Sequence, residues 1–158
     1  MSPFSAKDTL HISNIFPLTQ GFVVLYLYIV IWVSFMNLVA VFLGGGVGSV
    51  LRYLLGLFFG KNINTVFPIA TFLINILGSL FLGFVLGLFM AKTNVNTQFK
   101  LFLTVGIAGG FTTFSTFTVE TFHLFKDGHN YLALIYPIAS IILGFAAVLL
   151  GFYLSRTV

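Results

Sequence analysis

The placement of charge decides what this chain can fold into. No Asp, Glu, Lys or Arg occurs in the 43 residues between Asp8 and Arg52, the 30 between Lys61 and Lys92, the 19 between Lys100 and Glu120, or the 28 between Asp127 and Arg156. About 20 apolar residues suffice for a helix to cross a hydrocarbon core of ~30 Å, so each run matches one crossing or more. Soluble domains carry about 25% charged residues. This chain has 6%, against 59% apolar residues, within a length of 158. A fold of that size cannot hide so much apolar surface from water. Its solvent is lipid, which excludes water-soluble enzymes, nucleic-acid-binding domains and disordered regions. There is no cysteine, so disulfides and thiolate metal sites are excluded. The net charge of +4 comes from ten scattered charges, which form no basic patch, and no nucleic-acid partner is expected.

Leu, Ile, Val, Phe and Gly run continuously, without the alternation of barrel strands. Helices satisfy their own backbone in lipid. The expected fold is therefore an all-α integral membrane protein with four transmembrane helices, spanning Asn37–Phe59, Pro68–Ala91, Phe99–Phe125 and Tyr131–Leu154. Pro68 suits a helix start, where its missing N–H costs nothing. The connectors Gly60–Phe67, Lys92–Gln98 and Lys126–Asn130 are short, so successive helices are antiparallel neighbours. Gly44-x-x-x-Gly48 and Gly83-x-x-x-Gly87 have the spacing that lets helix backbones approach closely in lipid.

Residues 1–35 form an N-terminal extension of different character. Met1–Gln20 is polar enough to lie outside the membrane. Gly21–Phe35 is apolar but only 15 residues long. A single helix over Gly21–Phe59 would be about 58 Å long at 1.5 Å per residue, well beyond a bilayer. The extension reads as a fifth span or interfacial helix, as a signal-peptide-like segment without an A-x-A-like cleavage site, or as sequence upstream of a true start at Met36. The start at Met36, or a dispensable extension, is the favoured expectation.

Orientation follows the Lys/Arg bias of the loops. With four spans, Lys7, Lys92, Lys100 and Arg156 fall on one side, and Arg52, Lys61 and Lys126 on the other. A start at Met36 removes Lys7 and leaves three against three, and a fifth span gives three against four. No version yields a clear bias. Chance balance in a chain with few charges is one explanation. Insertion of the same chain in both orientations is the other, and two opposed copies would then pair about an axis in the membrane plane.

The third span carries the most distinctive chemistry. Thr104–Thr121 reads TVGIAGGFTTFSTFTVET. Gly106, Gly109 and Gly110, followed by Thr112 and Thr113, are expected to weaken or break the helix near mid-membrane. Irregular backbone at that depth is tolerated only inside protein or beside a cavity. Freed carbonyls suit a hard cation, and freed amides an anion. Beyond the break, Phe114 and Phe117 share a helical face, with the hydroxyls of Ser115, Thr116 and Thr118 alongside. Phe rings are positive at the edge, so edges turned inward can touch an anion without holding it tightly. Lipid-facing filler is the competing reading in a chain with 21 Phe.

Three further polar residues stand out. Asn75 lies mid-span, as interhelical glue or as a donor to a passing anion. Arg52, late in the first span, could snorkel or draw anions to a vestibule. Glu120 is the only acid inside a span, and intramembrane ionisable groups are functional suspects, although a place near an aqueous mouth would leave it merely solvated. His11, His123 and His129 show no metal-ligand spacing. No acid–base pair or activated nucleophile can be assembled, so an enzyme is not expected.

Three segments, GGGVGSVLRYLLG (Gly44–Gly56), FPIATFLINILGSLFLG (Phe67–Gly83) and GIAGGFTTFSTFTVET (Gly106–Thr121), together resemble the CrcB/Fluc family of fluoride ion channels. The resemblance covers Met36 to about Leu154 and implies that residues 36–158 form a four-helix fluoride channel domain. It implies an antiparallel dual-topology homodimer with two narrow pores, and a structural sodium ion at the dimer interface held by the carbonyls of Gly109 and Thr112. It places Phe114, Phe117 and Asn75 on the fluoride path, with Ser115, Thr116, Tyr136 and Ser140 on its polar wall. Arg52 and Glu120 match vestibular positions. The fourth helix carries the weakest motif, and the extension departs from the usual short N-terminus.

The function expected is passive, fluoride-selective export across the cell membrane. Hydrogen fluoride enters as a neutral weak acid and ionises inside, and a negative membrane potential then drives fluoride out. The alternative is a proton-coupled exporter of the small multidrug type, which needs a membrane-embedded acid in the first helix. The first, second and fourth spans have none. An accessory subunit without transport of its own is a third possibility and leaves the hydroxyl and Phe track without a purpose.

Overall fold

A computed structural model describes residues 6–63, 65–92 and 94–157. The described chain is helical, with α1 over Ala6–Asn62 and α2 over Ile69–Ala91. The third crossing is built in pieces: α3 (Thr97–Leu101), a π-helical stretch Phe102–Ala108, and α4 (Gly109–Phe111). Two extended residues then lead into α5 (Phe114–Lys126). The last helix, α6 (Asn130–Leu154), ends in a 3₁₀ turn at Ser155–Thr157. Four stretches are long and apolar enough to cross a membrane: Val23–Lys61, Ile69–Ala91, Thr97–Lys126 and Asn130–Thr157.

The chain divides into two compact units, Met1–Leu38 and Val39–Val158. The expected helix start at Asn37 is corrected, because helical structure begins at Ala6. No proline interrupts Gly21–Phe59, and the polar backbone of a segment with apolar side chains pairs its own N–H and C=O groups wherever water is scarce. Val23–Val33 and Phe35 are all exposed on every side of this helix.

Local signals set the other boundaries. Pro68 caps α2 rather than forming its first turn. The Asn96 side chain accepts from the Phe99 N–H at 3.0 Å and starts α3, as short polar caps do. After α5 the chain reverses on Gly128, whose φ of 82° needs no Cβ. The His129 N–H reaches the Leu124 carbonyl at 2.8 Å and the Gly128 N–H reaches that of Phe125 at 3.2 Å. These paired bonds close the helix end in a Schellman arrangement.

Small residues fix the packing within Val39–Val158. A Cβ on Gly44 would collide with the Phe102 carbonyl and Gly106, and one on Gly48 with the Ile107 carbonyl and Phe111. Gly106 and Gly110 press back on Gly44 and Gly45. Likewise Gly83 abuts Val148, Gly87 abuts Ser155, and Gly151 abuts the Leu80 carbonyl. Of the two spacings read from the sequence, Gly44, Gly48 and Gly83 make close backbone contacts and Gly87 makes room for the Ser155 side chain. Such contacts give dispersion and fit in lipid, where there is no hydrophobic drive between helices. The α2 and α6 contacts advance together along both helices, so the two helices run parallel. The buried core is small, centred on Ile74, Val85, Ala108, Leu124, Tyr136 and Ala147. Most large apolar side chains face outward.

Candidate functional site

The break in the third crossing falls at Thr112–Thr113, after the glycines rather than on them. Gly109 is helical, with φ −66° and ψ −38°, whereas Thr112 has φ −78°, ψ 157° and Thr113 has φ −146°, ψ 118°. Gly106 and Gly110 lie at close-packing positions, and the extended residues are the β-branched pair that follows. β-Branched side chains are stiff in a helix and fit extended backbone well.

Side chains replace the lost helical bonds. The Thr113 N–H, which would otherwise reach Gly109, donates to Asn75 Oδ1 at 2.9 Å, and Asn75 Nδ2 donates to the Thr113 carbonyl at 3.2 Å. The Thr116 N–H, which would otherwise reach Thr112, donates to Thr113 Oγ1 at 3.3 Å. Thr113 Oγ1 in turn donates to Thr116 Oγ1 at 3.0 Å. The carbonyls of Gly109 and Thr112 are thereby left without their helical donors. They are hard neutral oxygens, the class that suits a hard cation. The space where a Gly109 side chain would sit is open. Among the described residues no cluster of three or more His, Cys, Asp or Glu could hold a metal, so backbone oxygen is the donor available here.

An open cavity of about 320 Å³ adjoins the break, lined by Asn75, Ser79, Thr112, Thr113, Phe114, Phe117 and Ser140 among others. Phe114 and Phe117 stack at 5.8 Å between centroids, and Phe114 is 79% exposed on the single chain. Phe117 continues to Tyr136 at 5.1 Å, and Tyr136 meets Phe67 edge-on at 5.3 Å. Tyr136 is fully buried. Its hydroxyl donates to Glu120 Oε2 at 2.8 Å, while Thr71 Oγ1 donates to Oε1 at 2.7 Å. Glu120 also lines a second cavity of about 500 Å³ with Thr65, Phe67, His123, Asp127 and His129. Glu120 therefore stands between a ladder of rings and an open mouth, with a hydroxyl on each oxygen.

Of the residues singled out in the sequence, Asn75, Thr112, Phe114, Phe117 and Ser140 come together at one cavity, and Tyr136 and Glu120 lie next along the ring ladder. Ser115 and Thr116 are exposed and line none of these cavities, and Arg52, half-buried on α1, lines none either. Sequence reasoning missed Thr71 and Ser79. Their signal was the fourfold spacing Thr71, Asn75, Ser79, which puts three polar residues on one face of an otherwise apolar helix. The π-helical stretch before the break was also missed. Such segments are frequent at functional sites, but no residue pattern announced it.

This is a membrane protein built on a broken third helix and a largely apolar cavity that carries a few polar side chains. A profile of the family described as "CrcB-like protein, Camphor Resistance (CrcB)" matches residues 39–152. The chain is 42% identical over 121 residues to a protein of Nitrobacter winogradskyi named "Fluoride-specific ion channel FluC", covering 77% of this chain and 96% of that one. It is 44% identical over 120 residues to a protein of the same name from Phocaeicola vulgatus, covering 76% and 98%. With "Fluoride-specific ion channel FluC 1" of Nitrobacter hamburgensis it shares 44% over 119 residues, covering 75% and 94%. The chain belongs to the CrcB family. It is a multi-pass membrane protein.

Proposed function

We propose that this protein is a fluoride-selective channel that lets cytoplasmic fluoride leave passively and so limits its toxicity. The observation that carries this reading is the cavity lined together by the rings of Phe114 and Phe117 and by Asn75, Ser79 and Ser140. A small, strongly hydrated anion needs replacement donors as it sheds water, yet must not be held by a fixed cation. Hydroxyl and amide donors beside positive ring edges meet both needs. Relatives named as fluoride-specific channels, matching over nearly their whole length, point the same way. Proton-coupled export of the small multidrug type is disfavoured, because the apolar part of α1, Val23–Lys61, contains no Asp or Glu.

The working unit is an antiparallel dual-topology homodimer. Phe114, 79% exposed, and the open groove it forms with Phe117, Phe122, Phe125 and Pro137 would then face the second copy. The balanced Lys/Arg count is compatible with insertion both ways. In that dimer two breaks meet near the midplane, and the Gly109 and Thr112 carbonyls of both copies supply four oxygens. Sodium fits this neutral, hard donor set better than a divalent ion, which would call for carboxylates. It would act as a structural bridge, sparing four unpaired carbonyls in a dry interface. Glu120 and Arg52 would serve at the vestibules, and Ser115 and Thr116 would join the wall only through the partner. Fluoride efflux from liposomes holding the purified protein, compared with chloride, tests the reading.

A further inference from the structure

Parallel packing sets α2 against α6 in a fixed register. Thr71 and Tyr136 share Glu120, Asn75 and Ser140 line one cavity, and Ser79 faces Gly144, where a Cβ would lie 3.7 Å from Ser79 Oγ. Each step is four residues on both helices, so these pairs form successive rungs of one polar line. Thr71 and Tyr136 both spend their hydroxyls on Glu120. Asn75 spends its amide oxygen and one of its two amide hydrogens on Thr113. The third pair is asymmetric, because α6 offers glycine there and Ser79 provides the only side-chain hydroxyl.

Hydroxyls inside helices ordinarily fold back onto the carbonyl one turn earlier. In this chain Thr104, Thr112, Thr118 and Thr121 do so at 2.8–3.0 Å. Ser79 makes no hydrogen bond within the described chain although it lines the cavity. Ser140 Oγ is sealed from solvent with no partner. A buried hydroxyl without a partner is costly and calls for an explanation. Ser79 and Ser140 line the same cavity, and neither hydroxyl has an acceptor among the described residues.

We infer that Ser79 is a fluoride-binding residue, which with Ser140 forms a dehydration subsite one turn beyond Asn75. The missing acceptor is the anion itself. Serine hydroxyls turn between staggered χ1 wells at small cost, so both can swing towards an ion and release it again. Gly144 matters because its lack of a side chain leaves room for ion and hydroxyl together. This inference rests on the fluoride reading above and deepens it.

The test is fluoride efflux from liposomes, with half-saturating fluoride measured alongside, for Ser79→Ala, Ser79→Ala/Gly144→Ser and Ser79→Ala/Gly144→Ala. Ser79→Ala removes a hydrogen bond to a charged group and is expected to lower efflux about tenfold. Gly144→Ser should restore it to within about threefold of wild type by returning the hydroxyl from the opposite helix. Gly144→Ala, which adds bulk without a hydroxyl, should not. Size-exclusion profiles of all three show whether each is folded. Unchanged efflux and half-saturation in folded Ser79→Ala overturns the inference, and so does equal rescue by Ser and Ala at position 144, which would make Ser79 a packing residue. Wild-type protein that passes no fluoride overturns the channel reading instead.

Discussion

Asn75 and Thr113 grip each other through both halves of a peptide-like amide. The Thr113 N–H donates to Asn75 Oδ1 at 2.9 Å, and Asn75 Nδ2 donates to the Thr113 carbonyl at 3.2 Å. One side chain on α2 thus replaces helical bonds that α4 and α5 give up where they separate. Asn75→Ala should leave two backbone groups of a buried residue unpaired, each costing about 1–3 kcal/mol. The expected result is a lower unfolding temperature in detergent and loss of fluoride efflux. Asn75→Asp keeps the acceptor, loses the donor and sets a negative charge beside the cavity. It should unfold at a higher temperature than Asn75→Ala yet still block fluoride, and wild-type efflux from Asn75→Asp would contradict this account of the residue.

Phe114→Ile and Phe117→Ile test whether the rings do more than fill space. Isoleucine keeps apolar bulk but has no positive ring edge. Each variant is expected to keep the size-exclusion profile of the wild type while fluoride efflux falls at least about tenfold, the effect of roughly 1.4 kcal/mol on a barrier. Unchanged efflux in both would make the rings packing elements.

Tyr136 joins ring contacts to a hydroxyl, and two substitutions separate them. Tyr136→Phe removes the hydroxyl that reaches Glu120 and keeps the contacts with Phe67, Phe72 and Phe117. Its expected cost is about 1–3 kcal/mol. Tyr136→Ala also removes a fully buried ring and should cost about 3–5 kcal/mol. Denaturation in detergent measures both, and equal losses would mean the ring contributes nothing beyond its hydroxyl.

Gly48→Leu and Gly83→Leu put a side chain where backbone carbonyls of Ile107 and Val148 already stand. Neither neighbour is a flexible side-chain end, so the helices must separate. Both variants are expected to aggregate in detergent, whereas Gly45→Ala, at a position with open space around it, should behave as wild type.

The dimer and its cation make a fifth prediction. Reporter fusions at the C-terminus should appear on both membrane faces, and a single orientation would reject self-paired dual topology. Prolonged exchange of sodium for a large organic cation should loosen the dimer or lower efflux, as should bulky residues at Gly109 or Thr112. Thr112→Ser should be nearly neutral, because the ligand is its backbone carbonyl.

The sequence shows the crossings well because absence of charge over 19 to 43 residues is a coarse signal that packing hardly alters. The close approaches at Gly44, Gly48 and Gly83 were legible for a related reason, since in lipid only small residues let backbones meet. The exact break was less legible. Glycine marks where a helix can yield, but here Gly106 and Gly110 pack against α1, and the stiff Thr112–Thr113 pair took the extended conformation. The clamp by Asn75 and the shared grip on Glu120 join residues 38 and 49 positions apart, and such pairings depend on the relative register of two helices. Ser79 stayed hidden among apolar neighbours until α6 placed Gly144 opposite it. Continuity of α1 back to Ala6 departed from an expectation based on bilayer thickness, which limits what lipid can cover and not where a helix can form.

The central claim is selective passage of fluoride, and it is tested most directly by loading liposomes with fluoride or chloride and following each anion with an ion-selective electrode. Purified protein and a potassium ionophore are added so that charge can balance. The account predicts rapid electrogenic fluoride efflux that depends on the ionophore, with chloride efflux near that of protein-free liposomes. Equal release of both anions, or fluoride release that needs a proton gradient and no ionophore, would contradict it.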